Sequence, residues 1–366
     1  MYLEFNIASC VRSSSRFSSC IKCIDICPTK TIRVIDNSIA FTPKDCIDCG
    51  GCVGVCPTEA FSLSNISLID FFFNLLESSD EVLECKSSLD SCLTILGVEY
   101  LISLGLSKPN LKINIEGCRC DKHGELKKRL KENIKEANFI LSNISDREIE
   151  IISKEKEIER DRERDKTLNR RSLFSLKGIA KSREQFLKEV EANELKEFKI
   201  DSKTIQDIRE KHIPDRRKLL FTILKNSPKP KEYYFLSLDD ISFISQKYIE
   251  ESCTNCQICY RVCPTGALSS DSKFSIINFS AISCVKCHLC HDVCEPNSIK
   301  LQRGFNTEEL FKPEIKKLIS FNIKRCSECG NYFTYRGVNE CPRCQIEEEE
   351  AIALHQNRGE FKFKIK

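Results

Sequence analysis

Apolar residues between positions 66 and 155 recur with two periods, one typical of strands and one typical of helices. Short apolar runs at 82–84, 112–115 and 148–152 predict three strands, and an apolar stretch at 93–106 predicts a helix between the first two. A second helix is predicted by apolar residues that recur every three or four positions: Leu126, Leu130, Ile134, Ala137 and Leu141. The order strand–helix–strand–helix–strand predicts a small parallel α/β unit.

The segment that follows this unit is dominated by charge. From Lys154 to Lys166, twelve of thirteen residues are charged, with alternating signs, which is typical of a solvated helix or linker. Residues 181–225 have an amphipathic helical pattern, and Pro228-Lys229-Pro230 ends the segment. We therefore predict a charged helical connector over residues 156–235.

Composition restricts the class of protein. The chain has 366 residues, 24 cysteines and a formal net charge of only +3, so we expect two or three domains and no nucleic-acid partner. The N-terminus has no basic region before an apolar run, and the longest apolar cluster, at 71–76, is too short to span a bilayer. We expect a cytoplasmic chain without a membrane span. In a reducing compartment the cysteines are expected to bind metals rather than to form disulfides.

A dense block of cysteines at 253–294, called here the second module, contains two runs of equal spacing. They are Cys253-x2-Cys256-x2-Cys259-x3-Cys263-Pro264 and Cys284-x2-Cys287-x2-Cys290-x3-Cys294, with Glu295 and only then Pro296 after the last cysteine. The pattern resembles the bacterial dicluster ferredoxin family, in which each run gives three thiolates to one 4Fe-4S cluster and its fourth to the other. The resemblance implies two ligand sets: Cys253, Cys256, Cys259 and Cys294, and Cys284, Cys287, Cys290 and Cys263.

A block at 10–56, called the first module, repeats the pattern with one departure. The run Cys46-x2-Cys49-x2-Cys52-x3-Cys56-Pro57 is complete, whereas Cys20-x2-Cys23-x3-Cys27-Pro28 has Phe17 where a first cysteine belongs. Cys10 would complete this run if the longer loop at 11–19 folded it back. The alternative is a three-iron or absent cluster with Cys10 free. The favoured ligand sets are Cys10, Cys20, Cys23 and Cys56, and Cys46, Cys49, Cys52 and Cys27.

Four sparser cysteines lie within the predicted α/β unit. Cys85 ends the first strand and Cys118-Arg119-Cys120 follows the second, so these residues are expected at the carboxyl edge of the sheet. Cys92 lies near the start of the intervening helix, where a thiolate is stabilised. Two interpretations stay open: a fifth metal or redox-thiol site at Cys85, Cys92, Cys118 and Cys120, or small buried hydrophobic side chains.

Two cysteine knuckles lie near the C-terminus. Cys326-x2-Cys329-Gly330 and Cys341-Pro342-x-Cys344 are separated by eleven residues, and they resemble a zinc ribbon or a short rubredoxin-like module. Four sulfurs would complete a tetrahedral site. We favour zinc over iron, because structural ribbons are the commoner use of such short loops.

The sequence as a whole predicts an α+β multidomain fold. The predicted domains are a dicluster ferredoxin-like module with one atypical run at 1–64, a small α/β domain at 65–155, the charged helical connector at 156–235, a second dicluster module at 236–305, and the zinc ribbon with its tail at 306–366.

The expected function is electron transfer through up to four 4Fe-4S clusters. The resemblance alone implies redox partner proteins, and a role as a subunit or partner of a larger anaerobic oxidoreductase of formate- or hydrogen-linked type. We find no nucleotide fingerprint or acyl-transfer constellation in the sequence, which favours an electron carrier over an enzyme. Two alternatives are a redox enzyme that uses the four sparse cysteines, and an accessory or maturation factor for a metalloenzyme.

Overall fold

The structure is a computed structural model that describes residues 2–116, 124–152 and 210–358, with side chains described as far as residue 354. Its strands are β1 Leu3–Phe5, β2 Ile32–Ile35, β3 Ser38–Phe41, β4 Phe61–Leu63, β5 Val82–Glu84, β6 Lys112–Asn114, β7 Glu150–Ile152, β8 Phe235–Ser237, β9 Lys247–Ile249, β10 Leu268–Ser270, β11 Ile276–Phe279, β12 Ile299–Leu301, β13 Gly304–Asn306, β14 Lys316–Ser320, β15 Ile323–Arg325 and β16 Tyr332–Thr334. Its α-helices are α1 Val11–Ser14, α2 Lys22–Asp25, α3 Gly51–Val55, α4 Leu68–Glu77, α5 Val98–Ser107, α6 Glu125–Ile144, α7 Asp215–Asn226, α8 Ile258–Arg261, α9 Leu289–Asp292, α10 Glu308–Phe311 and α11 Pro342–Arg358.

The two cysteine modules share one strand topology. In the first module β1 pairs antiparallel with β4, and β2 pairs with β3 in a hairpin between the two cysteine runs. In the second module β9 pairs with β12, and β10 pairs with β11 in the equivalent hairpin. The internal repeat therefore extends from cysteine spacing to strand pairing. The second hairpin is also extended by β14, which pairs with β11.

Strands β5, β6 and β7 form a parallel sheet in that order, where the apolar pattern predicts parallel strands. The apolar face of α6 is buried as its spacing predicts. The helix predicted over 93–106 is wrong in its first turn, because Leu93–Ile95 form a 3-10 turn and α5 begins only after Gly97. The 3-10 turn packs on α3 of the first module so closely that a Cβ at Gly54 would lie 2.3 Å from the Thr94 carbonyl oxygen.

Helix α7 belongs to the segment predicted as a charged connector, but the structure buries most of it. Leu219, Leu220 and Leu224 join a core that is continuous with apolar residues of both modules and of the parallel sheet. Residues 153–209, which include most of the predicted connector, lie outside the described part of the chain. Among the described helices, none is long and apolar enough to cross a bilayer.

Two adjacent arginines of α7 connect the units. The guanidinium of Arg217 is fully buried; it donates to Glu99 on α5 and to the carbonyls of Phe243, Ile282 and Cys284. Arg216 lies 2.9 Å from the other carboxylate oxygen of Glu99 and donates to the carbonyls of Gly54 and Cys56. Gly54 and Cys56 belong to the first module, Ile282 and Cys284 to the second, and Glu99 to the α/β unit. One carboxylate and two guanidinium groups therefore hold these three units together.

Replacement of Arg217 by methionine should destabilise the whole chain by about 3 kcal/mol, since it removes one member of a buried charge network and leaves carbonyl groups unpaired. The loss of stability is measured as a lower apparent melting temperature under anaerobic conditions.

The matched control is Lys312→Met, which removes an exposed ion pair with Glu308 at 2.7 Å and should cost less than about 1 kcal/mol. Equal melting temperatures for the two variants would contradict this role for Arg217.

Candidate metal centres

The cysteines of the first module form two groups of thiols. Burial, followed by the charges of Cys56, Cys20 and Cys10, raises the pKa of Cys23 to about 12. These three cysteines and Cys23 therefore lie close together, and we call them the Cys23 group. Around Cys52, burial and the charges of Cys49, Cys23, Cys46 and Cys27 raise the pKa. Cys27, Cys46, Cys49 and Cys52 form the Cys52 group, and Cys23 is the member of the first group that lies next to it.

The cysteines of the second module form two corresponding groups. Burial and the charges of Cys290, Cys256 and Cys253 raise the pKa of Cys259 to about 12, and Cys294 acts in turn on Cys253. Burial and the charges of Cys284, Cys263 and Cys290 raise the pKa of Cys287. The Cys259 group is Cys253, Cys256, Cys259 and Cys294, and the Cys290 group is Cys263, Cys284, Cys287 and Cys290. These two groups approach each other through Cys259 and Cys290.

Cys10 lies with the Cys23 group although it is distant in the sequence. It precedes α1, and its pKa is raised to about 11 by burial and, more weakly, by the charges of Cys56 and Cys20. Phe17, at the position where a first cysteine would stand, is 61% exposed. The loop at 11–19 therefore returns Cys10, and not the position of Phe17, to the other thiols.

Left-handed residues shape the loops between the cysteines. In each complete run two such residues flank the second cysteine: Asp48 and Gly50, Asn255 and Gln257, Lys286 and His288. Alternation of right- and left-handed residues turns successive amide groups toward one concave side, which favours an anionic group there. The run at 20–27, which lies within the described residues, contains no left-handed residue. Its residues Lys22–Asp25 form α2 instead.

The last cysteine of every run opens the same turn. The third residue after it is left-handed in all four runs, and its amide donates to the carbonyl of that cysteine: Lys30 to Cys27, Glu59 to Cys56, Gly266 to Cys263 and Asn297 to Cys294. The turn after Cys294 forms although the proline lies one position later than in the other runs. In the second run of each module, a backbone amide also donates to the sulfur of the last cysteine: Ala60 to Cys56 and Ser298 to Cys294, each at 3.2 Å.

This donor set fits iron–sulfur clusters. Ten of the sixteen thiols could ionise only at a cost, because burial, reinforced by neighbouring thiols, raises their pKa. Iron ions would offset that cost, and soft thiolate ligands select iron–sulfur clusters over hard cations. When bound, such clusters supply reversible one-electron reduction. The polypeptide itself would supply the sulfur ligands, the amide hydrogen bonds and the exclusion of water.

The C-terminal cysteines make a separate site. The sulfurs of Cys326, Cys329, Cys341 and Cys344 all lie within 4.8 Å of one another. They lie beside the β15–β16 hairpin and at the start of α11. Backbone amides, first that of Cys329 and also that of Cys341, lower the pKa of Cys326 to about 6, which favours the thiolate that a metal needs. This four-cysteine cluster fits a zinc-ribbon-like motif.

Only half of the sparse cysteine set falls within the described residues. Cys92 is buried, its sulfur is 3.1 Å from the Thr94 hydroxyl, and its charge acts on Cys49 of the first module. Cys85 is half-buried, with its sulfur 3.9 Å from the Ser91 carbonyl oxygen. Cys118 and Cys120 lie outside the described part of the chain.

Two lysines beside the thiols were not singled out from the sequence. Lys22 acts on both Cys20 and Cys287, which belong to different modules, and burial lowers its pKa. Lys247 acts on Cys290, and its ammonium lies 3.0 Å from the His291 ring. The available signal for Lys22 was its position within a cysteine run; Lys247, on β9, gave none.

Comparison with known proteins adds two family matches. A 4Fe-4S dicluster domain matches residues 10–57, and another 4Fe-4S dicluster domain matches residues 252–299. No curated protein and no solved structure matches the chain. The chain therefore contains two 4Fe-4S dicluster domains, and the first match begins at Cys10.

Substitution of Gly50 by alanine should destabilise the first module. Gln257 and His288 show that side chains are tolerated at the equivalent left-handed positions. At Gly50, however, an added Cβ would lie 2.9 Å from Ile95, so overpacking should cost about 1–3 kcal/mol. The measurement is thermal bleaching of the visible iron–sulfur absorbance.

Gly266→Ala is the matched control, since Gly266 is also left-handed and the nearest contact of an added Cβ, with Lys211, would be an ordinary 3.5 Å. The packing explanation fails if Gly50→Ala bleaches no earlier than this control.

Proposed function

We propose that this chain carries electrons between proteins along four 4Fe-4S clusters, one in each of the four thiol groups. The Cys23, Cys52, Cys259 and Cys290 groups would each hold one cluster, with Cys10 as the fourth ligand in the first of them. The observation that supports this most directly is the presence of four such groups within one continuously packed molecule. Clusters at adjacent sites pass single electrons, and the protein needs no bond chemistry of its own.

The positions of the groups support one linear order. The Cys52 group adjoins the Cys23 group, and the Cys259 group adjoins the Cys290 group. Cys20 and Cys287 pack against one apolar cluster between the modules, which supports a central position for the Cys23 and Cys290 groups. The Cys52 and Cys259 groups are the two ends. Cys256 of the last group is exposed, as an entry or exit point for electrons requires.

The proposed partners are redox proteins, with the chain as a subunit or partner of a larger anaerobic oxidoreductase of formate- or hydrogen-linked type. This partner class is supported by the resemblance to ferredoxin modules. We propose a reducing compartment such as the cytoplasm, because the thiolates that iron–sulfur clusters need persist there. In the C-terminal ribbon we propose zinc, because four close thiolates in short loops suit a closed tetrahedral site.

A second candidate function is a redox-thiol or metal site that uses Cys85, Cys92, Cys118 and Cys120. The electrostatic effect of Cys92 on Cys49 favours it, because a reactive thiol near Cys49 would lie at the end of the proposed electron path. Serine at all four positions should then abolish a thiol-dependent reduction and leave the 4Fe-4S spectrum unchanged. Retention of every measured activity would exclude this candidate.

Metal analysis tests the leading proposal directly. Protein reconstituted without oxygen should contain about sixteen iron ions, an equal amount of sulfide and about one zinc ion per chain. Reduction should generate EPR signals from several interacting 4Fe-4S clusters. Eight iron ions or fewer would contradict the presence of two complete modules.

Replacement of Cys10 by serine tests the atypical ligand. The Cys23 group should lose one to four iron ions, through conversion to a three-iron cluster or loss of the whole cluster, and the other groups should be unchanged. Iron content and the EPR spectrum of the oxidised protein distinguish these results. The control is Cys85→Ser, which removes a half-buried thiol outside the four ligand sets. If both variants keep the iron of the unaltered chain, Cys10 is not a ligand.

A further inference from the structure

We propose that the loop at 11–19, which enlarges the first cysteine run, is an electron bridge that couples the two modules. This inference rests on the proposed function, because it concerns the route between clusters in the Cys23 and Cys290 groups. A standard run leaves two residues between its first and second cysteines, whereas this run leaves nine between Cys10 and Cys20. The first and the last of these nine residues both contact α9 of the second module.

The apolar half of the contact is formed by Val11. Its side chain is 2% exposed and packs with Leu289 and Val293, and these three residues form a small cluster separate from the main core. Half-buried Cys20 and Cys287, one from each module, pack against the same cluster. Water is thus largely excluded from the space between two proposed ligand sets.

The polar half of the contact is formed by Ser19. Its backbone amide donates to one carboxylate oxygen of Asp292 at 2.8 Å, and its hydroxyl donates to the other at 2.9 Å. Ser19 directly precedes Cys20, and Asp292 follows Cys290 by two residues. A short route of covalent bonds and hydrogen bonds therefore joins a proposed ligand of one module to a proposed ligand of the other. Such a route transfers electrons faster than a gap of equal length.

The loop is fixed to its own module before it reaches the other. Arg12 donates from Nε to the carbonyl of Cys20 at 2.7 Å and from a terminal nitrogen to the side-chain oxygen of Asn37 at 2.7 Å. The Ser13 hydroxyl donates to the carbonyl of Cys10. These bonds hold Val11 and Ser19 on the same side of the loop, so that both reach α9.

Lys22 adds a positive charge at the same junction. Its ammonium lies 3.4 Å from the carbonyl oxygen of Lys286, so it reaches across from one module to the other. Its charge acts on Cys20 and on Cys287. A cation shared by two neighbouring clusters stabilises the more negative, reduced form of each, and both sides of the junction therefore accept an electron more readily.

The experiment compares Asp292→Ala with a matched control, Asp271→Ala. Asp271 makes the same pair of bonds to a serine, from the Ser275 amide and hydroxyl at 2.6 Å, but within the hairpin of the second module. Iron content is measured first, followed by EPR of the fully reduced chain and freeze-quench EPR after partial reduction. Splitting of the EPR signals reports magnetic coupling between clusters, and the freeze-quench series reports the rate of electron exchange between modules.

With iron content unchanged at about sixteen per chain, Asp292→Ala should reduce the splitting of the EPR signals and slow electron exchange between the modules, because both bonds from Ser19 are lost. Asp271→Ala should match the unaltered chain. If both variants show the unaltered coupling and rate, the bridge is refuted while the electron-carrier proposal stands.

If Asp292→Ala loses iron, the Ser19→Ala variant provides the test instead. It removes only the hydroxyl donor, so it should keep its full iron content and slow exchange to a lesser degree. An unaltered rate in Ser19→Ala would then refute the bridge. A content of eight iron ions or fewer in the chain without substitutions would instead refute the proposed function itself.

Discussion

The described part of this chain depends on one buried carboxylate. Glu99 is shared by Arg216 and Arg217, and all three side chains are almost completely removed from water. Such burial costs several kcal/mol per charge, and it is offset only where geometry and further hydrogen bonds are good. Here the further bonds go to backbone carbonyls of both modules. The interaction that neutralises the charges therefore also helps to fix where the modules lie.

Much of the cysteine chemistry was predictable because it depends on local spacing. A loop with cysteines every third residue has few ways to fold, and the left-handed residues at Asn255 and Gln257 recur where the spacing recurs. The parallel sheet was predictable for a similar reason, since short apolar strands that alternate with helices have few arrangements. The late start of α5 was not predicted, because Gly97 is governed by contact with another unit rather than by periodicity.

The relation between the modules could not be predicted from the sequence. Arg216 and Arg217 stand in a segment that the sequence predicts as a charged helical connector, and only tertiary contacts give them their buried role. Val11 and Ser19 lie in a loop that departs from the standard spacing, and their partners are more than 250 residues away. Pairings over such separations carry no local signal, because the chemistry of each partner is ordinary.

The bonds from Arg216 to Gly54 and Cys56 have a consequence for biosynthesis. Every cysteine of the first module leaves the ribosome long before α7 does, so the nascent module lacks the guanidinium that later covers the end of α3. Iron and sulfide delivered at that stage would meet an unfinished, wetter pocket. The covering of the first module by α7 is therefore completed only when synthesis has passed the middle of the chain.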